Sequence, residues 1–173
     1  MKFNASMVQT RCPTPLGNLI LVASPSGLAG AWFENQRHLP AALATPLAGQ
    51  NAVWPEHATN PILQAAVTQL TAYFAGKTSG FDLPLDLSAG SPFQQTVWLA
   101  LLAIERGRTT SYGALSSCIG RPSAARAVGA AIGRNPISIV VPCHRVIGST
   151  GSLTGYAGGL ERKTALLQLE GVL

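Results

Sequence analysis

The stretch "SYGALSSCIGRPSAARAVGAAIGRNP", residues 111–136, decides how the rest of the chain is read. Ser111 stands where a helix N-cap belongs, and "YGALSSCIG" predicts a short helix. "RPS" follows, with Gly120 and Pro122 forming a tight turn. "AARAVGAAIG" then predicts a second helix, with Ser123 as its cap and Gly133 as its stop. Two short helices across a tight turn have the pattern of a helix-turn-helix. The second helix is odd for one that reads base edges, which needs Arg, Asn, Gln or Glu at several exposed positions. This one offers Ala124, Ala125, Ala127, Gly129, Ala130 and a single long polar side chain, Arg126. Small residues let a backbone approach another surface closely; they cannot encode sequence. Either the helix is packed in a core, or it fits a nucleic-acid groove by shape. The flanking Arg106, Arg108, Arg121 and Arg134 favour the groove.

Downstream lies "ISIVVPCHRVIG", residues 137–148. The apolar run predicts a strand that ends at Pro142. Cys143 is either a buried small hydrophobe or a nucleophile on a pocket floor. His144 beside it does not by itself settle the matter, because neighbours on a strand face opposite sides. The company is more telling. A loop with five glycines (148, 151, 155, 158 and 159) suits wrapping a ligand. Asn135 upstream and Glu170 downstream could each orient an imidazole. A thiol attacks only as thiolate, and a base chain through histidine supplies one. Other readings stand beside these: Tyr112 as a first-turn aromatic, Arg145 as an ion-pair partner, Glu170 as a surface residue, Cys118 as core.

Toward the N-terminus, "GNLILVAS" and "LAGAWFE" across "PSG" predict a hairpin. Residues 38–60 show no periodicity and read as loop. "NPILQAAVTQLTAYFAG" predicts a helix capped by Asn60 and ended by Gly76, with Ile62, Leu63, Ala66, Val67, Leu70 and Phe74 inward. "FDLPLDLSAG" reads as an extended linker. Ser91 and Pro92 then open a helix over "FQQTVWLALLAIERG", with Val97, Trp98, Leu101 and Leu102 inward, and "LERKTALLQLEG" closes the chain as a last helix. With 173 residues, 47% hydrophobic and 11% charged, the chain supports a packed core. It shows no apolar leader and no run long enough to span a bilayer. Three widely spaced cysteines without a CxxC argue against a disulfide framework or zinc knuckle and for a reducing cytoplasm. The net charge of +5 is one-sided: residues 1–90 balance, and the whole excess lies in 91–173. That is the footprint of a polyanion binder.

"IVVPCHRVIG", "TGYAGGLERKTALLQLEG" and "SYGALSSCIGRPSAARAVGAAIGRNP" together closely resemble the O6-alkylguanine-DNA alkyltransferases, the methylated-DNA–protein-cysteine methyltransferases. The resemblance covers essentially all of residues 91–173. It continues more weakly into "TPLGNLILVASPSGLAGAWFE" and "YFAGKTSGFDLPLD". It implies an RNase-H-like α/β domain over 1–88, a small antiparallel sheet plus helix. A mainly α domain over 89–173 then carries the helix-turn-helix and the alkyl acceptor.

The resemblance also implies roles. Cys143 matches the acceptor, His144 the histidine that takes the thiol proton through a water, and Glu170 its orienter. Asn135 matches the buttress of the site, and Tyr112 the hydroxyl that assists guanine at N3. Val146, Tyr156 and Ala157 match the lesion pocket. Arg126 matches the finger that fills the place of a flipped base, in a minor-groove contact that includes Ser123, Ala124, Ala125, Ala127 and Gly129. Implied are single-turnover repair of O6-alkylguanine, and of O4-alkylthymine, in double-stranded DNA, no cofactor, no metal, and a cytoplasmic monomer. Ser138 and Ala157 depart from members that carry proline and serine there. A cysteine hydrolase, or a non-catalytic helix-turn-helix protein, is the alternative.

Overall fold

The computed structural model describes residues 1, 3, 6–40, 43 and 54–173. Strands β1 (Val8–Cys12), β2 (Leu19–Ser24) and β3 (Gly27–Phe33) form an antiparallel sheet in that order. The hairpin is β2–β3. β1 was not anticipated, because "VQTRC" mixes polar and apolar residues without a clean strand signal. Every residue of β2 and β3 is buried, so both faces are covered. Leu19, Leu21, Ala31 and Phe33 join the main core; Ile20, Val22, Ala29 and Trp32 pack with Met7 and Trp54 on the other side.

Helix α1 (Pro61–Phe74) starts as expected: Asn60 Oδ1 accepts from the amides of Ile62 at 3.0 Å and Leu63 at 3.2 Å. Gly76 sits just past its end at φ 70°. Its buried face is Leu63, Ala66, Leu70 and Tyr73, while Ile62, Val67 and Phe74 are half-buried. Tyr73, not Phe74, is the interior aromatic. Within the loop assigned to 38–60, residues 41, 42 and 44–53 lie outside the described residues; of the remainder, Glu56 pairs with Gln9 beside β1.

Helix α2 (Pro92–Leu102) opens with a reciprocal capping box between Ser91 and Gln94. It is shorter than the sequence suggests, and Leu102 is 40% exposed rather than inward. The helix ends in tightened bonds, Ala103 N–H to Ala100 O and Ile104 N–H to Leu101 O, and beyond it Arg106 reaches back across the molecule, donating to the carbonyls of Thr78 at 2.6 Å and Leu169 at 2.8 Å. Strands β4 (Thr110–Ser111) and β5 (Val146–Ile147) pair in parallel. The helix-turn-helix is present as α3 (Tyr112–Cys118) and α4 (Ala125–Gly133). Gly120, at φ 70°, makes the turn that a Cβ would strain. Ser123 does not cap α4. It lies inside a 3₁₀ turn (Pro122–Ala124) that winds directly into the helix, and no side chain caps that end. Cys118 is exposed rather than core. Trp98 Nε1 donates to the Ala131 carbonyl at 2.8 Å and pins α4 to α2. Helix α5 (Leu160–Leu169) completes the fold, and no described helix is long and apolar enough to cross a membrane.

The outer edge of β3 positions the site. Part of it exchanges hydrogen bonds with the linker, through Leu28, Pro84 and Asp86. The rest holds the segment before Cys143: Ala31 N–H donates to the Pro136 carbonyl and Ser138 N–H to the Ala31 carbonyl, each at 2.9 Å. The expected strand over 137–141 therefore does not form beyond that single bridge. The chain instead folds into two γ-turns, Val140 N–H to Ser138 O at 2.9 Å and Cys143 N–H to Val141 O at 2.8 Å.

Candidate active site

Asn135 shapes that turn. Its Oδ1 accepts from Ile137 N–H at 3.0 Å, and its Nδ2 donates to Val141 O at 2.8 Å and Cys143 Sγ at 3.1 Å. Such captures override an apolar run's preference for strand, because a buried amide left unpaired costs about 1–3 kcal/mol. The first γ-turn puts Ile139 at φ 73°. A β-branched residue there stores about 1–3 kcal/mol of strain. Cys143–Arg145 then form a 3₁₀ turn. Three residues per turn splay successive side chains by about 120°. Cys143 is thus turned to Asn135 and His144 to Glu170, in place of the opposed faces of a strand.

Behind the turn sits a buried polar cluster. His144 Nε2 lies 3.0 Å from Glu170 Oε1. Arg145 grips the same carboxylate twice, Nε to Oε2 at 2.9 Å and Nη2 to Oε1 at 2.8 Å, and its other terminal nitrogen donates to the Ile104 carbonyl. Tyr73 Oη donates to Glu170 Oε1 at 2.7 Å. Burial alone would raise the Glu170 pKa; the donors from His144, Arg145 and Tyr73 outweigh it and hold the carboxyl well below the usual range. Burial pushes His144 down; Glu170 opposes this, while Arg145 and Lys163 add to it. His144 is thus neutral. An ionised Glu170 can only accept, so Nε2 carries the proton and Nδ1 the lone pair. Nδ1 is buried with no protein partner among the described residues.

Burial pushes the Cys143 thiol up, against the Asn135 amide and the Lys163 charge, which pull it down. Lys163 is fully buried, donating to the carbonyls of Val146 and Thr154, and burial lowers its pKa to about 8. The arrangement is a buried thiol beside a neutral imidazole whose free nitrogen can take a proton.

The glycine-rich loop packs against Tyr112 and holds Tyr156 and Ala157. Tyr112 Oη donates to Thr154 O at 3.0 Å, and a Cβ on Gly129 would lie 3.5 Å from its ring. A Cβ on Gly158 would fall 2.7 Å from the Tyr156 ring, so the ring's place requires glycine. The Tyr156 hydroxyl is buried without a hydrogen-bond partner among the described residues, the Ser138 hydroxyl being a polar neighbour. Ala157 O accepts from Arg37 N–H at 3.0 Å, and Val146 O is taken by Lys163. On the surface, Ser123, Arg126 and Ala127 are exposed and Ala124, Ala125 and Gly129 half-buried. Arg126 makes no hydrogen bond or ion pair among the described residues, whereas Arg106 is engaged inside and stacks 5.2 Å over the Tyr73 ring. Arg145 is the ion-pair partner the sequence suggested, and Glu170 is buried, not surface.

Tyr73 and Lys163 escaped the sequence reading, and Arg106, which the sequence grouped with the groove arginines, is instead turned inward onto Thr78, Leu169 and the Tyr73 ring. Spacing could have found the first two: Tyr73 continues the face of Leu63, Ala66 and Leu70, and Lys163 shares one with Leu166 and Leu167. Among the described residues, no group of three or more His, Cys, Asp or Glu could hold a metal ion.

Comparison with known proteins agrees with this geometry. The family model for the DNA-binding domain of 6-O-methylguanine DNA methyltransferases matches residues 92–172, and that for the family's ribonuclease-like domain matches residues 7–87. A methylated-DNA–protein-cysteine methyltransferase of Mycobacterium leprae is 48% identical over 158 residues, covering 91% of this chain and 88% of that protein. The Mycobacterium tuberculosis protein of the same name is 63% identical over 105 residues, a match that spans 61% of this chain and 63% of that protein's length. The crystal structure of the Mycobacterium tuberculosis O6-methylguanine methyltransferase superposes with a TM-score of 0.81 at 46% identity, covering 95% of this chain and 92% of that one. A structure of the same Mycobacterium tuberculosis protein in complex with DNA gives 0.78, with 95% and 91% covered. A ribonuclease-like sheet domain followed by a helical DNA-binding domain, with Cys143 in the sequence "PCHRV", places this chain in the O6-methylguanine DNA methyltransferase family.

Proposed function

We propose that this protein repairs alkylated DNA directly, moving the alkyl group of O6-alkylguanine onto the sulfur of Cys143 once per molecule. The observation that carries this is the buried Cys143 thiol, held by Asn135 beside a neutral His144 that Glu170 locks in one tautomer. DNA meets α4, whose small residues admit close approach along the minor groove. Arg126 enters the stack and occupies the place of the flipped base, offsetting an unstacking cost of about a few kcal/mol. His144 Nδ1 takes the thiol proton through one water. Sulfur then bonds to the alkyl carbon as the bond from that carbon to O6 breaks, and Tyr112 donates a proton at guanine N3 so that no full anion builds on the base. For this its hydroxyl must leave the Thr154 carbonyl. Val146, Tyr156 and Ala157 line the base pocket, and O4-alkylthymine fits the same chemistry. The product thioether has no carbonyl for water to attack, so the sulfur is not regenerated. The two units, 1–88 and 89–173, act as a monomer.

The test is intact mass and peptide mapping after mixing with a duplex that carries O6-methylguanine. One methyl group on the Cys143 peptide, and none beyond one per chain, is expected. Sustained turnover would favour a cysteine hydrolase, and DNA binding with an unmodified Cys143 would favour a plain binding module. Cys143→Ala is expected to lose transfer and keep DNA binding.

A further inference from the structure

We infer that Tyr73, in the ribonuclease-like half of the chain, is a positioning residue that sets the basicity of His144 through Glu170. The reading rests on His144 being the base of alkyl transfer. Glu170 Oε1 accepts from three donors, and one of them is not part of the cysteine-bearing half: the Tyr73 hydroxyl, at 2.7 Å. Tyr73 is fully buried near the C-terminal end of α1, and Glu170 caps the end of α5, 97 residues later in the chain.

The contact is built. Arg106 stacks on the Tyr73 ring and donates to Thr78 O, just past α1, and to Leu169 O, next to Glu170. One guanidinium thus clamps the tyrosine and the carboxylate segment together. Phe74 and Phe81 pack edge-on and tilted against the same ring, each with centroids 5.4 Å away. The phenol keeps its proton, because burial and the Glu170 charge both resist a second anion there. It can therefore act on the carboxylate only as a donor.

A donor on Oε1 withdraws charge from the atom that His144 Nε2 also uses. The charge that Glu170 presents to the imidazole is shared with Arg145 and Tyr73, and His144 is correspondingly less willing to hold a second proton. The other charged groups that face His144 are Arg145 from its own turn and Lys163 from α5, and both disfavour the imidazolium; Cys143 adjoins it in the same turn. Arg106 acts one shell further out, on Tyr73. The half of the protein that carries neither the acceptor nor the DNA-reading helix thereby tunes the proton acceptor.

The test is Tyr73→Phe, which keeps the ring and loses the donor. The pH dependence of alkyl transfer to Cys143 from a free O6-benzylguanine base is measured, together with the NMR titration of the His144 ring in the full-length protein. The acid limb of the rate profile and the ring titration are both expected to move up by about 0.5–1 pH unit, a fraction of the worth of a hydrogen bond to a charged group. 3-Fluorotyrosine at position 73, a stronger donor of almost the same size, moves both the other way, and it serves where the phenylalanine variant folds poorly. In a Glu170→Gln background the shift on Tyr73→Phe disappears. A purely structural role for Tyr73 would lower stability or rate and leave the titration of His144 where it was; that result overturns the inference. The ring titration is independent of what the thiol reacts with, so absence of transfer in the wild type would count against the proposed function and not against this contact.

Discussion

Helix α4 and the cysteine turn are neighbours in sequence, ending at Gly133 and starting at Cys143, and solve opposite problems. Each carries one arginine among small or apolar neighbours. Arg126 is exposed and without a partner among the described residues; Arg145 is buried and bound twice to Glu170. In the proposed function this side chain enters a foreign duplex; it is kept free of its own protein, and the rest of its helix's outer face is alanine and glycine. The group proposed to manage a proton is treated in reverse. His144, Glu170, Arg145 and Lys163 are withdrawn from water and paired with one another or with carbonyls, because charge is steered most strongly where the dielectric is low. The outer face of the first region is tolerant because its side chains are small and little engaged, while Val128, Ala131 and Ile132 behind it belong to the core. The second is intolerant because each member leaves another unpaired when removed.

The sharpest test of that contrast is Glu170→Ala. It strands a buried Arg145 and is expected to destabilise the protein by about 3–5 kcal/mol, as well as disabling His144. Denaturant midpoints for this variant and for Arg126→Ala, side by side, check it; equal stabilities would break the comparison. Arg126→Ala is expected to leave the fold intact and to slow repair of duplex DNA by about 5- to 150-fold, the rate equivalent of an unstacking cost of about 1–3 kcal/mol. Reaction with a free O6-alkylguanine base, which needs no flipping, stays near the wild-type rate. Equal losses on both substrates would return Arg126 to a structural role.

Acid gives a second discriminator, read on two groups of the buried region. His144 has a folded pKa below its ordinary 6.5, so its contribution is complete above that value and is lost as pH falls through 6.5 toward the lower folded value. Glu170, also depressed, begins to withdraw its contribution as pH falls through 4.5. Thermal midpoints are expected to decline in two stages, and His144→Gln is expected to flatten the upper one. The smallest expected effect separates the arginines by salt. Arg121→Ala is expected to flatten the slope of log affinity against log salt by about 1, the signature of one phosphate contact. Arg106→Ala leaves that slope alone and lowers stability instead, since its guanidinium is engaged on Thr78 and Leu169. A matching loss of slope in Arg106→Ala would undo the division between surface and interior arginines.

What the sequence by itself determined follows from local chemistry. The caps at Asn60 and Ser91, the stop at Gly76, the β2–β3 hairpin and the two helices about Gly120 are written in residues that act within four or five positions of themselves. The exposed arginine in a helix of small residues is equally local, since it concerns what is absent as much as what is present. The cysteine corner is not of that kind. "ISIVV" carries a strand's composition, and the bridge to Ala31 and the bonds of Asn135 to Ile137, Val141 and Cys143 fold it instead into γ-turns that lead into the 3₁₀ turn of Cys143 and His144. Whether Ser123 caps was decided by a 3₁₀ turn that winds into α4, and Arg106 was turned inward by carbonyls of Thr78 and Leu169 far from it in sequence. Tyr73 is the clearest case. Its place on a buried helix face is periodic and readable, but its hydroxyl gains its meaning from a carboxylate 97 residues away, and only packing the two halves together brings that partner within 2.7 Å.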